Sequence, residues 1–446
     1  MSFITEIPLI GSALGYIVPF LLLLGVVVFV HEYGHYIVGR WCGIGAKTFS
    51  VGFGKRLFGW TDKRGTHWQV ALLPLGGFVK FVGNMDPAGA RDSDADLTPE
   101  ERKVAFHNAS ITARALTVVA GPVANFLLSI VIFAGIALAV GKPSDQPLIG
   151  SVDEQMRAEI PLQGGDRVLQ INGKDVPSWS GMIDQLMDAD GAATTLVIER
   201  DGAQETLTIS QRLATRIGAV RPRSPAQEAG LQAGDAITAI NGIEVRTFRE
   251  LQILTADIPL ETEIEVSVLR DGESMSFTLL PTVMERQHPV TKEVVPQPTM
   301  GITSERFAGL RATMVSQGLL EATEFGVNET WRIISLTMGF LGDLIFGKAD
   351  TSQLGGPIGI AQASASQAKA GLTDFVYLIA ILSTSIGLLN LFPIPILDGG
   401  HLMFYAAEAL RGKPLGEKVM NTAMMIGLCL VLLLMGFATY NDLMRL

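Results

Sequence analysis

Four stretches of this chain, near residues 12–38, 112–140, 374–397 and 418–439, are longer and more apolar than a water-soluble core accommodates. About 20 helical residues cross a bilayer. Inside one, every backbone N–H and C=O needs an internal partner, so each stretch is predicted to be a helix. A mean hydropathy of +0.35 with 17% charged residues agrees. The fold class expected is therefore a polytopic α-helical membrane protein with four transmembrane helices. The net charge of −10 argues against nucleic acid as a partner. The first apolar stretch, from about Leu9 to Val38, exceeds a signal-peptide core and is followed by no small-residue cleavage site, so it is expected to stay as an anchor. Cys42 and Cys429 lie in or beside such stretches and suggest no disulfide framework.

Charge sets the orientation. Residues 1–39 contain no Lys or Arg, whereas Arg40 to Arg114 is rich in them, and the link between the last two spans carries Arg411, Lys413 and Lys418. By the positive-inside rule both links face the cytoplasm. The termini and residues 141–373 then face the other side, the periplasm in a bacterial inner membrane.

That outer region repeats itself. "LQGGDRVLQINGKDV" (162–176) matches "LQAGDAITAINGIEV" (231–245), and "ERDG" (199–202) answers "LRDG" (269–272). The offset of about 70 residues fits two small tandem domains rather than a solenoid. Each copy reads as a Gly turn, an alternating strand, an Asn-Gly turn, a helix and further strands. The pattern resembles the PDZ domains of bacterial proteases, which implies two tandem α+β PDZ domains that receive an extended peptide at a sheet edge or act as steric gates. Residues 282–305 are rich in Pro and Thr and read as a linker. Residues 311–347 show apolar residues at helical spacing without an uninterrupted span, as in an amphipathic helix lying on the membrane or against the repeats. The chain thus divides into an N-terminal membrane part (1–140), two repeat domains (141–215 and 216–285), a linker and amphipathic region (286–373) and a C-terminal membrane part (374–446).

"WQVALLPLGGFVKFV" (68–82) is apolar, broken by Pro74 and turned by Gly76-Gly77, and predicts a short membrane-associated β-hairpin. Irregular backbone survives at membrane depth only beside protein or a water-filled cavity. A hairpin dipping in beside a membrane active site satisfies that rule; the alternative is a plain cytoplasmic hairpin. Its edge, at Val79 and Phe81, is a candidate to bind an unwound substrate as an added strand.

The chemistry sits in "HEYGH" (31–35). Ionisable residues inside a span are costly and mark function. One helical turn places His31 and His35 on one face, able to share a metal ion, with Glu32 beside them to take a proton from water. Arg40 lies nine residues on, so at ~1.5 Å per residue the site is roughly 13 Å from the cytoplasmic end. Catalytic zinc usually keeps three protein ligands. "NLFPIPILDGGH" (390–401) offers the third as Asp398, where Pro393 and Pro395 prevent a regular helix and Gly399-Gly400 let the chain turn away. His401 is the rival, set aside because it lies beyond the two glycines.

HEYGH, "NLFPIPILDGG" and PDZ-like copies between the second and third spans together resemble the site-2 protease family. "GGFVKF" (76–81), "GPVAN" (121–125) and "GGPIGIA" (355–361) agree with it as well. The resemblance covers nearly the whole chain. It implies a zinc-dependent intramembrane endopeptidase with Zn2+ on His31, His35 and Asp398 and Glu32 as catalytic base. Asn390 would help hold the substrate backbone, and Asn125 has either a catalytic or an interhelical role. Family members cut single-pass membrane proteins such as anti-sigma factors, and remnant signal peptides. The alternative is a PDZ membrane adaptor with a structural metal site. A zinc transporter fits less well, because its polar residues would be spread along a path through several helices.

Overall fold

The computed structural model describes residues 8–83, 97–152, 161–188, 194–209, 215–221, 224–270, 272–287, 294–304, 310–346 and 355–445. They form two compact units, one holding the apolar helices and one holding the repeats.

Four helices of the first unit are long and apolar enough to cross a membrane, at Gly15–Trp41, Ile111–Ala139, Leu372–Asn390 and Lys418–Met444. They belong to α1 (Pro8–Trp41), α3 (Ile111–Ala139), α9 (Leu372–Asn390) and α11 (Glu417–Arg445). A short helix α2 (Pro99–Lys103), capped reciprocally by Thr98 and Glu101, leads into α3. Small residues bring the first helices together, as expected where lipid leaves little hydrophobic drive. A Cβ on Gly34 of α1 would collide with the Ala120 carbonyl and stand 2.7 Å from the Ala124 Cβ of α3. α3 is stitched to α9 by hydroxyls: Ser129 donates to the Ala380 carbonyl at 2.8 Å and Ser383 to the Asn125 carbonyl at 2.9 Å.

The third span ends at Asn390 rather than 397. Pro393 and Pro395 leave residues 391–397 as turns, and a separate helix α10 (Asp398–Arg411) starts at the expected ligand. Gly399 and Gly400 do not turn the chain away. They open α10 and lie buried, where any Cβ would strike the backbone of Leu391, Phe392 or Ile394. Their smallness seats the first turn of α10 on the irregular link.

The expected hairpin is larger than 68–82. β1 (Ala46–Thr61) and β2 (His67–Phe81) form it, and residues 68–81 belong to one strand. The turn lies at 62–66, where the Asp62 carboxylate accepts from the Arg64 and Thr66 amides and from the Trp68 indole at 3.0 Å. Residues 46–51 pair with 77–81 and also with 67–70. Such double pairing requires β2 to bend. Gly76, at φ 147, allows this, with the Phe53 ring only 2.6 Å from where its Cβ would be.

The segment expected to be amphipathic begins as strand and continues as α7 (Leu319–Ile345). Its buried stripe includes Ala322, Thr330 and Ile333, and Ile333 meets Phe133 of α3 and Ala380 of α9. Glu329 accepts from Tyr377 of α9 at 2.5 Å. The helix therefore packs on α3 and α9. α8 (Pro357–Ala370) follows. Asp442 of α11 accepts from the Gly356 and Gly359 amides at its N-terminus, each at 2.9 Å.

In the second unit each copy carries a four-stranded antiparallel sheet. The first has order β6-β5-β7-β8, built from β5 (Arg167–Ile171), β6 (Lys174–Asp175), β7 (Thr194–Arg200) and β8 (Ala203–Ile209) with α4 (Trp179–Asp188). The second has order β11-β10-β12-β13, built from β10 (Ala236–Ile240), β11 (Ile243–Glu244), β12 (Ile264–Arg270) and β13 (Glu273–Leu279), with α5 (Pro225–Ala229) and α6 (Phe248–Ala256). Asn172-Gly173 and Asn241-Gly242 both have positive φ, as a type I′ hairpin demands.

The region expected as a linker is a correction. β14 (Thr282–Gln287) pairs with β15 (Val294–Thr299), and β16 (Ile302–Ser304) pairs with β9 (Ile217–Val220) beside the second copy. β17 (Leu310–Ala312) returns to β4 (Ile149–Val152), and β18 (Met314–Val315) to β3 (Lys142–Pro143). Leu310 enters the core of the first copy and Met300 that of the second. The second copy is thus nested inside strands that complete the first, and Pro and Thr here mark short edge pairings.

Candidate metal centre

α1 presents His31 and His35 one turn apart, with ring centroids 4.7 Å apart and planes at 85°. The start of α10 brings Asp398 to them. Its Oδ2 lies 3.1 Å from His31 Nε2 and 3.4 Å from His35 Nε2, and the two Nε2 atoms are 3.2 Å apart. Both histidines are buried. Ligands bonded tetrahedrally to Zn2+ at ~2.0–2.1 Å lie about 3.3 Å from one another. The three atoms present match that triangle. Asp398 Oδ2 is buried without a hydrogen bond among the described residues, in spite of its closeness to both rings. Its lone pairs and those of the imidazoles converge on a common point, the arrangement a cation satisfies. His401 stands outside this group and packs against Phe404.

The surroundings orient the rings. His35 Nδ1 lies 2.9 Å from the Thr117 carbonyl of α3, which fixes the tautomer leaving Nε2 free to coordinate. Asn125 of "GPVAN" reaches His31, its Nδ2 placed 3.2 Å from Nδ1. Gly121 is required by contact, since a Cβ there would run into the His35 ring and come within 2.9 Å of His31 Nε2. Glu32 projects toward β2 and meets the Val79 backbone N–H, while a Cβ on Gly77 would lie 2.9 Å from its Cγ. The hairpin therefore runs beside the carboxylate.

Phe81, expected at a substrate edge, is a core residue instead. It is 5% exposed, stacks on Phe106 at 5.5 Å, and leaves no room for a side chain on Gly39. Asn390 closes α9, half-buried, at the start of the link to Asp398. Sequence reasoning missed the tie between Arg114 at the start of α3 and Glu408 of α10, a two-pronged ion pair at 2.7 and 3.1 Å with Arg114 stacked over Tyr405. It anchors the far end of the helix that begins with Asp398, and a pairing across 294 residues leaves no local sequence signal.

A His-His-carboxylate triangle with an adjacent glutamate, set among helices long enough to span a bilayer, is the kind of arrangement a membrane metallopeptidase uses. The chain belongs to Peptidase family M50, whose model matches residues 19–434. It is 37% identical over 438 residues to "Putative zinc metalloprotease Atu1380" of Agrobacterium fabrum, covering 98% of this chain and 97% of that one. It is 33% identical over 456 residues to the regulator of sigma-E protease RseP of Escherichia coli, covering 96% and 98%. Among solved structures, the PDZ domain of an SdrC-like protein from Listeria monocytogenes aligns with 20% of this chain and 86% of its own, at 19% identity and a TM-score of 0.17, too low to bear on the fold. The protein is a membrane zinc metalloprotease.

Proposed function

We propose that this enzyme is an endopeptidase of the bacterial inner membrane. It cuts the membrane-spanning segments of single-pass proteins, with His31, His35 and Asp398 as zinc ligands and Glu32 as the base. The observation that carries the reading is the 3.1–3.4 Å triangle of His31, His35 and Asp398 atoms with Glu32 beside it. When bound, zinc acidifies a water and polarises a carbonyl oxygen. The Glu32 carboxylate would take a proton from an attacking water and hand it to the departing amide nitrogen. Glu32 is half-buried between α1 and the hairpin, which limits the access of bulk water to this carboxylate.

A helical substrate hides its carbonyls in its own hydrogen bonds and has to unwind. Residues 77–81 pair with 46–51 on one side and run past Glu32 on the other. An extended segment laid along that second side at Val79 exchanges helix bonds for strand bonds close to the base. Asn390 is the candidate to hold the substrate backbone from the α9 end. Basic links on one side of the spans support a cytoplasmic-facing site with the repeats in the periplasm, acting as tandem PDZ domains that exclude bulky ectodomains. Relatives named regulator of sigma-E protease support an anti-sigma factor as the substrate type.

The test is reconstitution with such a single-pass protein, comparing wild type and Glu32→Gln at measured zinc content. Cleavage by wild type alone, at equal zinc, is expected. Cleavage by Glu32→Gln at the wild-type rate would overturn the role of Glu32.

A further inference from the structure

Asn125 is completely buried, yet its Oδ1 has no hydrogen-bond partner among the described residues. Its Nδ2 is placed 3.2 Å from His31 Nδ1. An imidazole that coordinates through Nε2 carries its proton on Nδ1, so Nδ1 must donate. An amide nitrogen opposite it sets donor against donor. The oxygen and nitrogen of a carboxamide have nearly the same shape, and turning the group by 180° exchanges them without moving other atoms. The other end of the amide faces the same surroundings in both orientations, so the contact with His31 decides between them.

We infer that Asn125 is a positioning residue for the metal centre, presenting Oδ1 to the His31 Nδ1–H and so holding that ring with Nε2 toward Asp398. α3 then orients both imidazoles, His35 through the Thr117 carbonyl and His31 through the Asn125 side chain. The two contacts lie on one helix, which explains its close approach to α1 at Gly34 and Gly121. The backbone of Asn125 is itself fixed, since its carbonyl accepts from Ser383 at 2.9 Å. Outer-shell acceptors of this kind raise the basicity of a ligating imidazole, and their loss typically costs about 10–100-fold in metal affinity.

The inference rests on His31 being a zinc ligand, and its test separates the two claims. Zinc affinity is measured by chelator competition on full-length, detergent-purified wild type, Asn125→Leu and Asn125→Asp, with the absorption spectrum of the cobalt-substituted forms as a second readout. Asn125→Leu is expected to weaken zinc about 10–100-fold. Asn125→Asp, which accepts and cannot donate, should bind at least as tightly as wild type and keep its cobalt spectrum. If Asn125→Asp loses zinc as badly as Asn125→Leu, Asn125 is a donor or a packing residue and the inference fails. If His31→Ala binds zinc like wild type, the ligand assignment fails first. Should a variant not fold, histidine-selective 15N NMR of zinc-loaded wild type decides: a protonated His31 Nδ1 is expected, and an unprotonated one contradicts the inference.

Discussion

Asp398 in the membrane unit and the ion-paired aspartates of the repeats follow opposite rules. In the repeats, Asp166 and Asp235 are each 1% exposed and fully paired. Arg200 grips Asp166 at 2.7 and 2.8 Å, Arg270 grips Asp235 at 2.6 and 2.7 Å, and the amides of Gln163 and Gln232 complete the same pattern. The duplicated sequence reproduces a duplicated structural ion pair. Asp398 in the membrane unit meets two imidazole nitrogens instead, and its Oδ2 has no hydrogen bond among the described residues. A carboxylate satisfied by an arginine secures a fold. One left facing two imidazole nitrogens is arranged for a cation.

The largest effect that would break this contrast is expected at Glu32→Gln. Turnover should fall about 10²–10⁴-fold, the usual worth of a general base, with zinc content unchanged. Cleavage assays paired with metal analysis check both halves. Next is Arg270→Met, which leaves Asp235 buried and unpaired. Removing one partner of a buried pair costs about 3–5 kcal/mol, and the partial exposure of Arg270 puts this case at the low end. Thermal unfolding of the repeat unit should drop while zinc binding stays intact. If zinc is lost too, the contrast between the units is wrong.

A smaller effect is expected from Arg114→Met, which frees Glu408 and loosens α10. Zinc affinity should weaken several-fold without loss of the folded protein, and Glu408→Gln should act the same way. Val79→Pro removes the N–H that meets Glu32 and should slow cleavage with zinc retained; unchanged turnover would remove the strand edge from the mechanism. The smallest effect belongs to Asp62. Burial pushes its carboxyl up, but bonds from Trp68, Thr66, Arg64 and Tyr36 outweigh this and hold it below its ordinary value. A depressed carboxylate stabilises the hairpin above the unfolded value, about 3.9. That support is lost as pH falls through the lower folded value. Trp fluorescence should therefore change in acid in wild type, and Asp62→Asn should abolish that transition.

The helices and the His pair were legible because their signals are local: an unbroken apolar run, and a spacing of one helical turn. Asp398 was legible through the prolines that end the preceding helix. The hairpin was legible only in part. Its first strand, "AKTFSVGFGKRLFGWT", is interrupted by glycines and charges, so the alternation that marks a strand is lost. Gly76-Gly77 read as a turn when it provides a bend and a passage past Glu32. Phe81 looked like an exposed edge residue because nothing nearby in sequence reveals that Gly39 and Phe106 close over it. The strands at 302–315 leave no local signal for the same reason, since their partners lie about 80 to 170 residues away.

Zinc stoichiometry of purified Asp398→Ala, measured beside wild type and Glu32→Gln, bears most directly on the metal centre. Expected is about one zinc per chain in wild type and Glu32→Gln, and close to none in Asp398→Ala. Wild-type zinc retained by Asp398→Ala would contradict the assignment of this carboxylate as the ligand that joins α10 to the two histidines.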